Sequence, residues 1–209
     1  MNMSVPSARR GPGRPAGGQP VIGRADLLDA AARTIRRIGP NATLDDIAAT
    51  AGVAKPTVYR VLGDRSAIVS ALADVLILRA EQVIVPLRDI PSSVWSPRER
   101  FQATIARFLS AMADDRSVFL FVNAGGHDAT LLTRVLTQVA RGLVEMFTCV
   151  APRPGADRGW AYGMIGAVQA SVTAWLIEPW CELEDLAASL TELLWDGLAS
   201  DPDAAKLAS

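Results

Sequence analysis

Apolar residues recur every three or four positions along most of the chain, the spacing expected of helices with one buried face. The clearest example is residues 24–38, where Gly39-Pro40 then ends the pattern. Its apolar stripe comprises Leu27, Leu28, Ala31, Ile35 and Ile38. No strand-like alternation of apolar and polar residues persists along the chain. We therefore expect an all-α protein with about nine helices.

Residues 43–62 predict two short helices joined by a tight turn. Thr43 can accept a free backbone N–H at the start of the first helix, and Gly52 suits the left-handed conformation that ends it. The second helix starts near Ala54, with Pro56 in its first turn, where proline is tolerated. Its apolar face leaves four polar side chains outside: Lys55, Thr57, Tyr59 and Arg60.

This pair of helices is typical of a helix-turn-helix, in which the second helix enters the major groove of DNA. The outward side chains can bind phosphate oxygens or base edges. Spacing alone equally fits a helical hairpin that only packs within a bundle. Charge favours DNA, because residues 1–60 contain nine basic and four acidic residues, whereas the remainder carries a net charge of −6. A basic head on an acidic body suits contact with a polyanion at one end.

Residues 24–69 resemble the N-terminal domain of TetR-type (TetR/AcrR-like) transcriptional regulators. The matching positions are Gly39, Asp45–Ala48, Ala51–Val53 and Thr57–Tyr59, while Pro56 and Val61-Leu62 depart from the usual residues. The resemblance implies a three-helix DNA-binding domain over 22–66 and a ligand-binding and dimerisation domain over 67–201. We place the DNA contacts at Arg9, Arg10, Arg14, Arg24, Thr43, Lys55, Pro56, Thr57, Tyr59 and Arg60.

The two ends of the chain are rich in small and polar residues. Residues 1–21 can bury little and are expected to be a disordered basic arm, and residues 202–209 a frayed tail. Arg9, Arg10 and Gly13-Arg14-Pro15 resemble an AT-hook, an extended segment that lies in the minor groove of A·T-rich DNA. The alternative is a solvated tail whose charges aid solubility.

A long helix over 65–85 should link the head to the body, since about 20 residues span about 30 Å. Arg79 falls on its apolar stripe and must reach water or find a partner. Asp114-Asp115 are expected at a solvated helix end. The body should be a helical bundle with helices over 97–113, 117–123, 128–150, 156–177 and 183–199.

The helix over 156–177 is apolar or small nearly all round. Polar interruptions and the absence of a Lys/Arg bias in its flanks argue against a membrane span and favour a helix buried on both sides. A strip of small residues would allow a second helix to approach closely. Paired with the next helix about a two-fold axis, it would form a four-helix dimer interface. The residues assigned to it are Gly163, Ala167, Ala170, Ala174, Leu186, Leu190 and Leu194.

Motifs for catalysis, nucleotide binding or metal binding do not occur in the sequence. The spacing of Cys149 and Cys181 fits neither a disulfide framework nor a zinc site, and His127 is best explained as a capping or surface residue. No secretory signal precedes residue 24. We expect a reduced, cytoplasmic protein that is not an enzyme and carries no cofactor.

A ligand pocket must therefore be built from apolar residues of the body. The candidates are Phe108, Met112, Phe119, Asn123, Met146, Trp160, Met164, Gln169 and Thr173. Aromatic and Met residues at helical spacing are more often core than pocket lining. We expect a homodimeric regulator of double-stranded operator DNA, a repressor released by a small apolar effector. The alternative is a helical enzyme or carrier with a vestigial DNA-binding head.

Overall fold

The computed structural model describes residues 22–87, 90–91, 93–125, 137 and 156–196, and over these residues the protein is all-α. Within these ranges the α-helices with described bounds are α1 (Arg24–Ile38), α2 (Leu44–Ala51), α3 (Lys55–Leu62), α4 (Arg65–Ile84), α5 (Pro97–Asp114), α6 (Arg116–Gly125), α7 (Ala156–Ile177) and α8 (Leu183–Thr191). A 3-10 turn, Val85–Leu87, follows α4, and a π-helical turn, Glu192–Asp196, follows α8. The basic arm, the frayed tail and, apart from Thr137, the helix expected over 128–150 lie outside the described residues.

The helices α1, α2 and α3 form a small head around a shared apolar core. Leu27, Ile35, Ile47 and Val58 are almost completely buried there, and each such side chain contributes about 1.5–3 kcal/mol of burial free energy. Ile38 does not join them: it is 42 % exposed, so its assignment to the buried stripe was wrong. It is the last residue of α1, where the chain turns away at Gly39.

The start of α2 is fixed by reciprocal hydrogen bonds between Thr43 and Asp46. The Thr43 hydroxyl accepts the Asp46 backbone N–H at 3.3 Å and donates to the Asp46 carboxylate at 2.6 Å. That carboxylate also accepts the Thr43 backbone N–H at 2.9 Å. Hydrogen bonds to its ionised form lower the pKa of Asp46. Gly52, with φ of 66°, ends α2 in the left-handed conformation.

The helix α4 leaves the head and packs on α5 and α6. Asp64 begins it by accepting the Ala67 backbone N–H at 2.9 Å. Its buried stripe is wider than the spacing predicts, because neighbours lie on two sides: Ile68, Val69, Leu72, Ala73, Leu76, Ile77 and Ala80. Helical spacing also predicts a core-facing position for Val75, but Val75 lies outside this stripe and is 40 % exposed, so that prediction is wrong.

Asp115, at the junction of α5 and α6, joins the head to the body. Its side chain is 2 % exposed and accepts Arg36 Nε at 2.9 Å and Arg36 Nη2 at 2.6 Å. It also accepts Arg79 Nη1 at 2.8 Å, which supplies the partner that Arg79 needs. The expectation of a solvated helix end was wrong for Asp115, because it balances two guanidinium groups from other helices. The hydrogen bond from Arg36 to Asp115 raises the pKa of Arg36.

Asp46→Asn should lower the urea midpoint of unfolding at pH 7, because the amide replaces an ionised acceptor of two hydrogen bonds. The folded-state pKa of Asp46 lies below its unfolded value, so its contribution is complete above that value, about 3.9. The contribution disappears as the pH falls through the folded pKa. The gap between variant and wild type should therefore close below about pH 4. Asp114→Asn, at an exposed position in the last turn of α5, is the matched control, and a gap that persists unchanged to pH 3 would contradict the assignment.

Candidate nucleic-acid interface and apolar cleft

The helix α3 presents a polar face to solvent, as the sequence predicts. Val58 and Leu62 are buried against the head, whereas Lys55, Tyr59 and Arg60 are exposed. Thr57 is half-buried, and Pro56 is exposed in the first turn. The Tyr59 side chain is 47 % exposed, which leaves its hydroxyl end available to a phosphate or a base edge. The described residues therefore include a polar outward surface on α3.

Lys55 is held in place by an ion pair between α3 and α2. Its Nζ lies 2.8 Å from the Asp45 carboxylate, and this hydrogen bond raises the pKa of Lys55. Both side chains are largely exposed, so water and salt screen the pair and its contribution to stability is small. A phosphate that approaches Lys55 has to compete with Asp45 for the ammonium group.

Arg24 and Thr43 have structural partners besides any role in DNA binding. Arg24 Nη1 donates to the Val61 carbonyl at 3.0 Å and thereby ties the start of α1 to the end of α3. The Thr43 hydroxyl is used in the cap of α2. Both residues are exposed on the head. Arg9, Arg10 and Arg14 lie outside the described residues.

An apolar cleft lies in the body between α4, α5 and α7. It is about half open to solvent, and the space between its walls amounts to about 460 Å³ when that open part is included. Seven of its eight lining residues are hydrophobic, and the Thr104 hydroxyl is already bonded to the Arg100 carbonyl at 2.8 Å. The described lining therefore favours an apolar occupant. It consists of Ile84, Phe101, Thr104, Ile105, Phe108, Met164, Ile165 and Val168.

Two of the predicted ligand residues, Phe108 and Met164, line this cleft. Met112 and Phe119 are buried in the core instead, and Trp160 is half-buried. The predicted polar groups bond one another or the backbone, because Gln169 Nε2 donates to Asn123 Oδ1 at 2.8 Å and Thr173 Oγ1 donates to the Gln169 carbonyl. Met146 lies outside the described residues.

The sequence did not identify the other six lining residues as pocket residues. Helical spacing predicts Phe101 and Ile105 on the apolar side of α5, and the structure places both of them at the core and at the cleft wall. Periodicity identifies the inward face of a helix. It does not distinguish a position packed against a neighbour from one that borders an empty space.

The outer face of α7 carries small residues and is exposed in the single chain. Gly163, Ala170 and Ala174 lie on it, and Ala167 at its edge is half-buried. No described atom comes within 4 Å of a Cβ built at Gly159, Gly163 or Gly166, so packing inside the described subunit does not require these glycines. The inner face, with Met164 and Val172, is buried.

The leucines assigned to a dimer surface on α8 behave differently. Leu186 and Leu190 are buried inside the subunit, where α8 packs on α5, and Leu194 is half-buried. Their side chains therefore contribute to the fold of one chain, and the candidate dimer surface is confined to α7 and its immediate surroundings.

Comparison with known proteins agrees with this architecture. Residues 27–72 match the bacterial regulatory proteins of the tetR family, and residues 87–208 match the tetracyclin repressor-like C-terminal domain. An uncharacterized HTH-type transcriptional regulator of Mycobacterium tuberculosis is 26 % identical over 184 residues, which cover 84 % of this chain and 76 % of that protein.

Solved structures share the fold. The transcriptional regulator FadR of Bacillus subtilis in complex with stearoyl-CoA has a TM-score of 0.63 at 20 % identity, over 83 % of this chain and 98 % of that chain. The TetR family repressor AlkX of a Dietzia species, implicated in biodegradation of n-alkanes, has a TM-score of 0.59 at 18 % identity, over 88 % and 98 %.

The head, the exposed α3 and the all-α body define a helix-turn-helix DNA-binding protein. The chain belongs to the TetR family of transcriptional regulators. It is a regulator of transcription and not an enzyme. Among the described helices, α7 included, none combines the length and apolar character needed to cross a membrane.

Lys55→Ala should weaken binding to the cognate DNA without lowering the urea midpoint, because Lys55 is exposed and its ion pair is screened. The loss of one phosphate contact should reduce the slope of log affinity against log salt by about one. Tyr59→Phe should weaken binding with the slope unchanged, since no charge is lost. Arg107→Ala removes a positive charge from an exposed site on α5 and should bind DNA as the wild type does. Wild-type affinity in both head variants would refute the outward face assigned to α3.

Proposed function

We propose that the protein is a dimeric repressor that leaves a palindromic operator when a small apolar effector enters the body. The observation that carries the proposal is the position of α4. This helix starts directly after the recognition helix α3, and its last residue, Ile84, lines the apolar cleft. A molecule that widens the cleft would displace α4 at one end and thereby shift the head at the other. Operator affinity falls if the effector prefers the non-binding arrangement.

The lining of the cleft supports an effector with a long hydrocarbon portion. Its described wall offers no free charge and no free hydroxyl, because Thr104 is bonded to the backbone. Proteins of the same fold include a regulator in complex with stearoyl-CoA and a repressor implicated in biodegradation of n-alkanes. A fatty acyl or alkyl chain is the ligand class that fits both the wall and these similarities.

The dimer is supported by the exposed outer face of α7. Tyr162 and Ile177, both exposed and apolar, flank the small residues, and Trp180 follows just after the helix. A two-fold pair of α7 helices would cover this strip, and the glycines would let the two backbones approach closely. Half-sites one helical turn apart require recognition helices about 34–36 Å apart.

Selection of bound fragments from random DNA with the full-length protein would test the DNA-binding part of the proposal. A palindrome with two similar half-sites is the expected result, since a two-fold dimer reads the same sequence twice. Enrichment of A·T pairs outside the half-sites would support minor-groove contacts by Arg9, Arg10 and Arg14. A single unrepeated motif would contradict the dimeric mode.

Ala170→Glu should convert the dimer to a monomer and weaken operator binding in parallel. The substitution introduces a charge without a partner into the proposed contact, at a cost on the order of several kcal/mol per buried charge. In the isolated subunit Ala170 is exposed, so the fold should be preserved. Ser110→Glu, at an exposed site on α5, is the matched control. Sedimentation and operator binding measured on each variant decide the matter, and a dimeric Ala170→Glu protein would contradict the assigned surface.

Three ligands are tested separately: palmitoyl-CoA, palmitate and hexadecane. At least one of them should raise the melting temperature of the protein and release it from the operator. Binding to the folded state stabilises it in proportion to the logarithm of ligand concentration. Ile165→Asn should abolish both effects, because it places an amide in the cleft wall. Val94→Asn makes the same kind of change at an exposed site and should respond as the wild type does. If none of the three ligands acts on the wild type, the acyl or alkyl class is wrong.

A further inference from the structure

Two arginine contacts hold the head against the segment formed by Asp115 and α6. Arg36, in the last turn of α1, makes two hydrogen bonds with the buried carboxylate of Asp115, just before α6. Arg65, the first residue of α4, donates to the Ala42 carbonyl at 2.9 Å, and its guanidinium lies 4.2 Å above the ring of Phe121 on α6. The Asp115 side chain is 2 % exposed, so the Arg36 contact is the one of these two that includes a buried carboxylate.

The same short helix is fastened to α7, one wall of the cleft. Arg116 Nε donates to the Leu176 carbonyl at 2.5 Å, and Gln169 Nε2 donates to Asn123 Oδ1 at 2.8 Å. A second wall, α5, runs directly into Asp115 through the chain itself. The third wall, α4, reaches Asp115 through Arg79. Asp115 thus stands where α4 and α5 meet the head, and α6 connects this point to α7.

We propose that Asp115 is a positioning residue for operator binding, which fixes the angle of the head on the body through Arg36. The residue is buried at the α5–α6 junction and is not on the exposed face of α3, so it acts on DNA only through the pose of the head. In a dimer this angle sets the separation of the two recognition helices. The inference therefore rests on the proposed two-site mode of binding.

Operators with different half-site spacings distinguish a change in the angle of the head from a loss of stability. One inserted or deleted base pair turns one half-site by about a tenth of a helical turn relative to the other. A head held at a fixed angle penalises that change, whereas a head free to swing tolerates it. A variant that is merely less stable loses affinity equally on every spacing and keeps the ratio between them.

The experiment compares the selected operator with derivatives that have one base pair removed or added between the half-sites, and with an isolated half-site. Wild type should prefer the selected spacing. Asp115→Asn should lose about ten-fold in affinity for it, within the range usual for coupling between sites. It should bind all three spacings within about three-fold, and the isolated half-site as the wild type does. Arg36→Gln should behave in the same way.

Two neighbouring residues provide the controls. Asp114→Asn makes the same chemical change one residue earlier at an exposed position and should keep wild-type affinity and spacing preference. Arg37→Gln removes one positive charge from an exposed position of the head next to Arg36, and should keep the preference even where affinity falls. If Asp115→Asn does not fold, as judged by circular dichroism and urea unfolding, Arg36→Gln carries the test, because Arg36 is about half exposed.

If Asp115→Asn keeps the wild-type ratio of affinities between the spacings, the assignment is overturned, whether or not overall affinity falls. Where Asp115→Asn is unfolded, the same result for Arg36→Gln overturns it. A wild-type protein that binds every spacing equally, yet more tightly than the isolated half-site, would overturn the role of Asp115 and leave two-site binding in place. A wild-type protein that binds the isolated half-site as tightly as the selected operator would reject the proposed two-site mode. A wild-type preference that only the Asp115 and Arg36 variants lose would establish the role.

Discussion

A carboxylate that water does not reach must be neutralised by protein neighbours, and in this chain that condition applies to Asp115. Its side chain is 2 % exposed, and two arginines from different helices satisfy it. Removing one partner of a buried ion pair commonly costs about 3–5 kcal/mol, and here solvent screening of the half-exposed guanidinium groups lowers that cost. These hydrogen bonds join α1 and α4 to the junction that begins α6, and an arrangement without them would leave the buried charge unbalanced.

The contacts of Asp115 fix the start of α6, and the rest of the architecture depends on the position of this helix. The helix is ten residues long and has neighbours on several sides: the head, α4, α5 and α7. Its apolar residues Phe119 and Phe121 are buried, and its polar ones reach outward to Leu176 and Gln169. A short element with so many attachments cannot move alone. In the proposed function, displacement of a cleft wall would therefore be shared with the head, as coupling between distant effector and DNA sites requires.

Local sequence chemistry was sufficient to predict the helices and the head. Thr43, Gly52, Pro56 and Asp64 act within one or two turns of their own position, so caps, stops and the outward face of α3 could be inferred without knowledge of the neighbours. The pairing of Asp115 with Arg36 could not be inferred in this way, because Arg36 is 79 residues away and nothing in the local pattern indicates it. The buried leucines of α8 show the same limit: periodicity gives an apolar face, and tertiary packing decides whether α5 or a second subunit covers it.

The cleft illustrates why binding residues are harder to identify than core residues. Phe101 and Ile105 satisfy the same hydrophobic spacing as Leu109 and Met112 on the same helix, and only the former border open space. The helices that border this space are joined by polar contacts outside it: Arg79 of α4 donates to Asp115 just after α5, and α7 is bonded to Asn123 and Arg116. In the proposed function, a ligand in the cleft would act on helices that these contacts already connect to the head. The pocket and the switch would then depend on the same few polar contacts.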